Sequence, residues 1–449
     1  MTKQYDVVVL GSGNAGMAAA GLARAAGKTV AVVESRDVGG TCPIRGCVPK
    51  KVLVAAAQTL HQIDRASEHH IAVEDAKLDW PKLMARERTF VDGVSDDFAN
   101  SLESRGIDLI EGAAQFIGSD RIAVGGTTLQ ANKIAIATGS KPRPLPIPGA
   151  EHLITSDDIL EMTSLPDSLI FIGGGVIAFE LAHVLARAGT DVTILEAMPR
   201  ILPNLDADLI ARLHTESERI GIHIVTDVAV KEIAPDGNQL RVSVNSVGRP
   251  ADFSADRVVN GAGRIPDVDA LDLDAANIEH DGTRIIVDEY LRSVSNPNVF
   301  VAGDALSGTA QLSALATYEG KQVGKSIVNG ALHAPDYRVV PAAVYTVPAL
   351  ASVGLTEAEA TEQGLSFSVN SNDMTEWRSA RTHAETVAYA KILVDDDSDN
   401  ILGAHLIGHG AEEIVHLFAF AIKHGVTAGE IADTVYAYPT FASDIKFLV

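Results

Sequence analysis

Tyr5-Asp6-Val7-Val8-Val9-Leu10-Gly11-Ser12-Gly13-Asn14-Ala15-Gly16 carries the chain from a β-branched run into a glycine-rich turn. An alanine-rich amphipathic stretch follows through Ala26, then a second apolar run, Thr29 to Val33, closed by Glu34. The order predicts strand, turn, helix and strand. It returns at Ser168 to Ile172, Gly173-Gly174-Gly175-Val176-Ile177-Ala178, a helix through Arg187, and Asp191 to Leu195 closed by Glu196. A lone G-x-G-x-x-G is a weak signal, but both copies here have the strand before, the helix after and an acidic residue about twenty positions on. The physics is specific: glycines admit a pyrophosphate, the helix N-terminus offers free N–H groups and a positive dipole end, and the carboxylate accepts from ribose hydroxyls. Glycine turns that merely join strands to helices would explain one copy. Two complete copies imply two dinucleotides.

Around these units the texture changes. Val54 to about Ser104 reads as helical, and about Asp108 to Ala137 alternates as short strands before Thr138-Gly139-Ser140. The proline-rich Pro142 to Pro148 reads as a linker. After Pro335 a third region is expected, with strands near Val339 to Val347 and Val387 to Val394 and a helix from Glu412 to His424. The acidic run Asp395 to Asp399 reads as a solvated turn between strands.

A chain of 449 residues exceeds what one core organises, so two or three domains are expected. Hydrophobic residues at 46% against 21% charged exclude disorder. A net charge of -23 argues against nucleic acid and anionic membranes as partners, since both need clustered Lys and Arg. Val7 to Leu10 is too short for a signal-peptide core, and no apolar stretch approaches the roughly 20 residues of a membrane span. The expectation is a soluble, cytoplasmic protein.

Only two cysteines occur, in Gly39-Gly40-Thr41-Cys42-Pro43-Ile44-Arg45-Gly46-Cys47-Val48-Pro49-Lys50-Lys51. In a reducing cytosol a structural disulfide framework is not the natural explanation. Residues five apart on an ideal helix are separated by about 7.5 Å along the axis, beyond the roughly 7 Å Cα limit for a disulfide, so the turn between them must be irregular. Pro43 and Gly46 suit such a departure. Cys47 then falls near the first turn of the next helix, where the dipole and Lys50 favour its thiolate, leaving Cys42 to exchange with substrate. Two cysteines packed as small hydrophobes would explain neither the glycines nor the lysines, and a zinc half-site lacks further cysteine ligands.

The Gly-Gly-Thr-Cys-x-x-x-x-Cys-Val-Pro-Lys-Lys segment, behind an N-terminal dinucleotide fingerprint, resembles the class I pyridine nucleotide-disulfide oxidoreductases, which include glutathione reductase, dihydrolipoyl dehydrogenase and mercuric reductase. Thr138-Gly139, Gly263-Arg264-Ile265-Pro266 and Val299-Phe300-Val301-Ala302-Gly303-Asp304 are similar to further family motifs, and Pro341 to Glu357 resembles the start of the dimerisation domain. The resemblance implies an α/β fold: two Rossmann-like dinucleotide-binding domains plus a C-terminal α+β dimerisation domain. It places FAD-binding segments at 1–145 and 263–335, an NAD(P)-binding domain at 146–262 and the dimerisation domain at 336–449. It implies FAD held by Gly11, Gly13, Gly16, Glu34, Thr41, Lys51, Thr138, Gly139, Gly263, Arg264 and Asp304, and a nicotinamide cofactor held by Gly173, Gly175 and Glu196. Cys47 becomes the flavin-facing sulfur and Cys42 the interchange sulfur, with Lys50 and Glu180 as an opposite-charge pair beside the flavin's reactive nitrogen. At Val176 many relatives carry a tyrosine that lids the nicotinamide pocket. Glu196 favours the free 2′-hydroxyl of NADH over the 2′-phosphate of NADPH, with Arg200 as a nearby cation.

The tail departs from the family. Disulfide-reducing members carry His-Pro-Thr with a glutamate five positions after the histidine; here Tyr438-Pro439-Thr440 stands, with Ser443 in the glutamate's place. A phenol, ordinarily with pKa about 10, donates a proton but is a poor base at neutral pH. Ordinary dihydrolipoyl dehydrogenase activity is therefore not expected. Mercuric reductase shares the tyrosine but adds a C-terminal cysteine pair, and soluble transhydrogenase shares it but lacks the second redox cysteine. The expected activity is NAD(P)H-dependent reduction, through FAD and a Cys42–Cys47 disulfide, of a small disulfide or another thiol-reactive acceptor. Expected with it is a homodimer whose partner subunit contributes Tyr438 as proton donor. The rivals are a mercuric-reductase-like metal reductase, a transhydrogenase or quinone-type reductase using the flavin directly, and a non-catalytic redox-sensing or complex-docking flavoprotein. For Tyr438 the plain alternative is a packed interface residue. His405, His409, Glu412, Glu413 and His416 do not share one helical face, so no metal site is expected; His69, His70 and His383 read as surface residues.

Overall fold

The computed structural model describes residues 2–246 and 249–449. The chain forms two compact units, one from the chain up to Lys50 with Ala85–Arg143 and Gly263–Asp336, the other from Lys51–Met84, Pro144–Ala262 and Tyr337–Val449.

Among the described residues, a seven-stranded sheet organises the first unit. Asp108–Glu111, Val30–Glu34, Thr2–Leu10, the end of Thr127–Ile136 and Val299–Val301 lie side by side and parallel. Parallel strands in such a sheet are covered on both faces, which is why Val7 to Leu10 and Val30 to Val33 are continuous apolar runs, all buried. Ala114–Gly118, Arg121–Val124 and Thr127–Ile136 add an antiparallel meander. The alanine-rich helix Asn14–Ala25 packs against Ser313–Asn329. Small residues set how closely they approach: a Cβ on Gly320 would lie 2.2 Å from the Ala15 carbonyl oxygen.

The second unit holds a four-stranded parallel sheet in the order His223–Val225, Asp191–Leu195, Ser168–Ile172 and Arg257–Asn260. An antiparallel meander, Val228–Asp236, Gln239–Ser246 and Arg249–Ala255, accompanies it. The C-terminal region is a five-stranded antiparallel sheet, Ala342–Val344, Ala349–Gly354, Ile401–Gly408, Tyr389–Asp395 and Phe367–Asp373 in spatial order. Helix Ala411–His424 covers it and buries Val415 and Phe418 among Ile392, Ala404 and Leu406. This is the α/β architecture with an α+β C-terminal domain that the sequence implied.

The acidic run is a turn as expected, the Asp395 carboxylate accepting from the Asp397 and Ser398 N–H groups. The long helical reading differs. Helices span Cys47–Asp64, Trp80–Arg88 and Val94–Ser104, with no helix at 71–79, because His70 takes a left-handed conformation (φ 58°) that ends the preceding helical turn. Among the described residues no helix is long and apolar enough to cross a membrane.

Candidate functional site

In the first unit the three fingerprint glycines play three different roles. Gly11 has φ 101° and a Cβ there would fall 2.2 Å from the Ala137 carbonyl oxygen; at Gly16 it would fall 2.0 Å from the Gly11 oxygen. Gly13 instead faces open space, its nearest neighbour being the Gly40 Cα at 4.0 Å, and it starts helix Asn14–Ala25 without a side-chain cap. Uncapped N–H groups therefore border a gap, the cradle a pyrophosphate needs.

At the strand end Glu34 accepts from the Ser12 N–H (2.9 Å) and hydroxyl (2.6 Å) on one oxygen, and from Ser35 and Arg36 N–H on the other. All four acceptor directions of the carboxylate are in use. A ribose hydroxyl would enter by displacing the rotatable Ser12 hydroxyl, which also receives the Gly39 N–H at 2.9 Å and so ties the fingerprint to the cysteine segment.

Two further observations fit an FAD. Thr138 Oγ1 is buried with no hydrogen-bond partner among the described residues. Burial pushes the Asp304 carboxyl above the usual carboxylate range, against the hydrogen bond from Ser140 (3.0 Å) and the charge of Arg264. A buried carboxyl so placed is short of donors, which a flavin's ribityl hydroxyls would provide. Arg264 reaches Ser140 through its hydroxyl at 2.9 Å and its carbonyl at 2.5 Å, so within this unit it orients the residue that holds Asp304. Gly139 has φ 73° and accepts the Asp267 N–H. Gly263 accepts the Arg143 N–H.

The cysteines lie on two helices. Thr41–Arg45 carries Cys42, and Cys47 begins Cys47–Asp64. The break at Gly46 supplies the expected irregularity: a Cβ there would lie 2.9 Å from the Thr41 oxygen and 3.3 Å from the Cys42 Cα. Thr41 itself is exposed at the start of its short helix. Both sulfurs are free thiols, Cys42 half-buried and Cys47 exposed. The Cys42 thiol is lowered to about 6: Cys47 donates a hydrogen bond to it, Ser313 donates another and Lys50 adds a positive charge, against the opposing effect of burial. Sequence reasoning directed these effects at Cys47; Ser313 is a further donor, and it reaches Cys42. Ser313 Oγ lies 3.1 Å from the Cys42 sulfur, and Asn14 donates its side-chain amide to the Ser313 hydroxyl and carbonyl. Ser313 and Asn14 were missed. Asn14 stood inside the fingerprint, but nothing local tied it to a residue almost three hundred positions on.

In the second unit Gly173 has φ 103° and its Cβ would lie 2.4 Å from the Gly261 oxygen, while Gly175 begins helix Val176–Arg187 without a side-chain cap. Glu196 is buried and accepts from the Gly174 N–H at 2.5 Å and the Met198 N–H at 2.7 Å. Val176 is exposed. This turn fits a second dinucleotide as the first fits FAD. Arg200 donates to the Leu205 and Pro203 carbonyls. Glu180 is buried on helix Val176–Arg187 and accepts the Tyr345 N–H at 2.8 Å. Lys51 lies 3.8 Å over the Tyr345 ring and 3.8 Å from Glu412. Tyr438 is exposed, its hydroxyl accepting from Arg378 at 2.8 Å.

Three of the histidines have partners among the described residues. His405 bonds the Leu355 carbonyl at 2.9 Å. His409 lies 3.2 Å from Glu385, and His383, exposed as expected, stacks on His409.

Residues 5–320 match the family model described as pyridine nucleotide-disulphide oxidoreductase, and residues 340–448 match the dimerisation domain of that family. A dihydrolipoyl dehydrogenase of Chlamydia pneumoniae is 32% identical, the alignment covering 98% of this chain and 95% of the relative. A glutathione reductase of Burkholderia cepacia is 31% identical over 99% of this chain and 98% of its own length. A mercuric reductase of Bacillus cereus is 29% identical over 99% of this chain and 71% of its own. The solved structure of the HOCl-induced flavoprotein disulfide reductase RclA of Escherichia coli superposes with a TM-score of 0.88 at 28% identity, covering 99% of both chains. A Cu(II) complex of a mutant of that protein gives the same TM-score, 0.88.

Proposed function

The chain belongs to the pyridine nucleotide-disulphide oxidoreductase family, and from that we propose that it uses NADH, in preference to NADPH, to reduce the Cys42–Cys47 pair, which in turn reduces a small disulfide or another thiol-reactive acceptor. The observation that carries this reading is the Cys42 sulfur, which receives hydrogen bonds from Cys47 and Ser313 beside a fingerprint turn with an open cradle.

The FAD site comprises Gly11, Gly13, Gly16, Glu34, Thr41, Lys51, Thr138, Gly139, Gly263, Arg264 and Asp304; the nicotinamide site comprises Gly173, Gly175 and Glu196. When bound, FAD supplies two-electron transfer between a nicotinamide and a disulfide. Lys50 and Glu180 act as a charge pair at the nicotinamide side, Glu180 steadied by the Tyr345 N–H. The four segments 1–145, 146–262, 263–335 and 336–449 divide these duties in a cytoplasmic homodimer whose partner subunit supplies Tyr438 as proton donor.

On the substrate side Cys42 works as a nucleophile. Its thiolate attacks one sulfur of the acceptor and the displaced half leaves with the electron pair. Cys47 then closes the internal disulfide and expels the other half. A second reading takes a thiol-binding metal ion as acceptor. It is supported by Tyr438 standing where a histidine base would be, since metal reduction needs no proton drawn from a dithiol substrate, and by the resemblance to a mercuric reductase.

The test is anaerobic addition of NADH to the flavoprotein followed by thiol titration. Two new thiols per chain are expected in the wild type and none in Cys47→Ser; no new thiols in the wild type would sink the reading. Turnover against glutathione disulfide, other low-molecular-weight disulfides, lipoamide, mercuric and cupric ions and quinones then separates the two acceptor classes.

A further inference from the structure

Resting on the redox role of the cysteine pair, the geometry points to Ser313 as a catalytic residue that holds the Cys42 sulfur as a nucleophilic thiolate, with Asn14 as the positioning residue that orients its hydroxyl.

Ser313 opens the helix Ser313–Asn329, and its hydroxyl donates to Cys42 Sγ at 3.1 Å. A hydroxyl has one hydrogen and two acceptor positions. The Asn14 side-chain amide occupies an acceptor position on that oxygen and also bonds the Ser313 carbonyl at 3.2 Å, while Thr317 donates to the same carbonyl at 3.1 Å. The residue is thus gripped from two sides and its single hydrogen goes to Cys42. The helix it begins is 17 residues long and carries no side-chain cap, so the sulfur also lies against an uncapped positive dipole end. Ser313 and Lys50 both shift Cys42 toward the ionised form, and Cys47 donates to it as well. The pair therefore shares one proton in the reactive state.

The exchange balances without another base. The Cys42 sulfur forms a bond to one sulfur of the acceptor disulfide as the acceptor's own S–S bond breaks, and the released thiolate takes a proton from water. Cys47 loses its proton to the second leaving sulfur, attacks Cys42 and restores the internal disulfide. Two electrons and two protons pass to the acceptor, which is the only oxidant needed. The Ser313 proton stays on Ser313.

The test reads Cys42 ionisation directly. The FAD-bound protein is reduced with a phosphine, desalted, and alkylated with iodoacetamide across a pH series. Trypsin cutting at Arg36, Arg45 and Lys50 puts Cys42 and Cys47 on separate peptides, so mass spectrometry assigns the label. Wild-type Cys42 should label with a midpoint near 6. In Ser313→Ala the Cys42 rate at about pH 6 should fall roughly tenfold and be unchanged at high pH, because one charge-assisted hydrogen bond is gone. Ser313→Thr should stay within about twofold of wild type and Asn14→Ala should fall between the two. Flavin absorbance confirms that each variant is folded and loaded. The same midpoint in Ser313→Ala and wild type overturns the proposal, and so does equal slowing in Ala and Thr, which would mark Ser313 as structural. Failure of NADH to generate thiols in the wild type sinks the redox reading and leaves the alkylation result standing, so the two are separable.

Discussion

Replacing Glu196 by Gln should change which nicotinamide the enzyme accepts. The carboxylate closes strand Asp191–Leu195, is 9% exposed, and receives the Gly174 N–H on one oxygen and the Met198 N–H on the other. Each oxygen keeps one acceptor direction, enough to receive a ribose hydroxyl. A 2′-phosphate in place of that hydroxyl would bring its charge to roughly 4 Å from the carboxylate, worth on the order of 4 kcal/mol of repulsion per charge pair at an effective dielectric near 20. Arg200, four positions on in the chain, already bonds the Leu205 carbonyl at 3.0 Å and the Pro203 carbonyl at 2.5 Å. Discounting for solvent at the rim leaves about 3 kcal/mol, or roughly a hundredfold preference for NADH in kcat/KM. Glu196→Gln keeps an acceptor and removes the charge, so NADPH should gain at least about tenfold while NADH loses less than that. Anaerobic stopped-flow of flavin bleaching by each nicotinamide measures this without knowledge of the acceptor. Equal efficiencies in the wild type, or a ratio that Gln leaves untouched, would refute the reasoning.

Cys47→Ser should still accept electrons from NADH but lose turnover with disulfides by at least about a thousandfold, because two sulfurs acting as a unit fail together; intact turnover would make the cysteines spectators. Gly320→Ala should destabilise the first unit by about 3 kcal/mol, since the new Cβ meets the Ala15 backbone oxygen at 2.2 Å and neither helix can yield cheaply; a urea midpoint equal to wild type would contradict the close helix contact. Burial pushes the Glu385 carboxyl up, but the hydrogen bond from His409, the nearby His61 ring at 3.7 Å and the Arg65 guanidinium at 2.7 Å outweigh it and hold it well below the usual range. A depressed folded pKa contributes stability that is present above the unfolded value of about 4.5 and lost as pH falls toward the folded one. Glu385→Ala should therefore cost about 3 kcal/mol near neutral pH, where Arg65 is left buried and unpaired, and the gap to wild type should narrow below about pH 4.5. A pH-independent gap in calorimetry would show that the ion pair is not its source.

Much of the site was legible because its signals are short. Each dinucleotide unit is read within about thirty residues: a strand, a turn whose first glycine has no room for a Cβ, a helix N-terminus and a closing carboxylate. Gly11 and Gly173, forced against the backbone of Ala137 and Gly261, show why no other residue type would serve. The cysteine segment was legible for the same reason, since a spacing of five excludes a regular helix and Gly46 marks the break. Less was legible where a loop's path depends on what packs beside it, as at 71–79.

What the sequence by itself determined is therefore local: the strand and helix order, the two nucleotide turns, and a pair of cysteines in an irregular turn led by a helix start. These follow from backbone geometry over a few residues, where steric exclusion and hydrogen-bond periodicity leave few options. What only the tertiary structure decided is which distant side chains reach the cysteine pair. Besides the hydrogen bond from its neighbour Cys47, Cys42 receives one from Ser313, brought from 271 positions away by the packing of helix Ser313–Asn329 on helix Asn14–Ala25. Hydrogen bonds act over about 3 Å and are indifferent to sequence separation, so the donors that tune a thiol belong to the fold and leave no periodic trace in the chain.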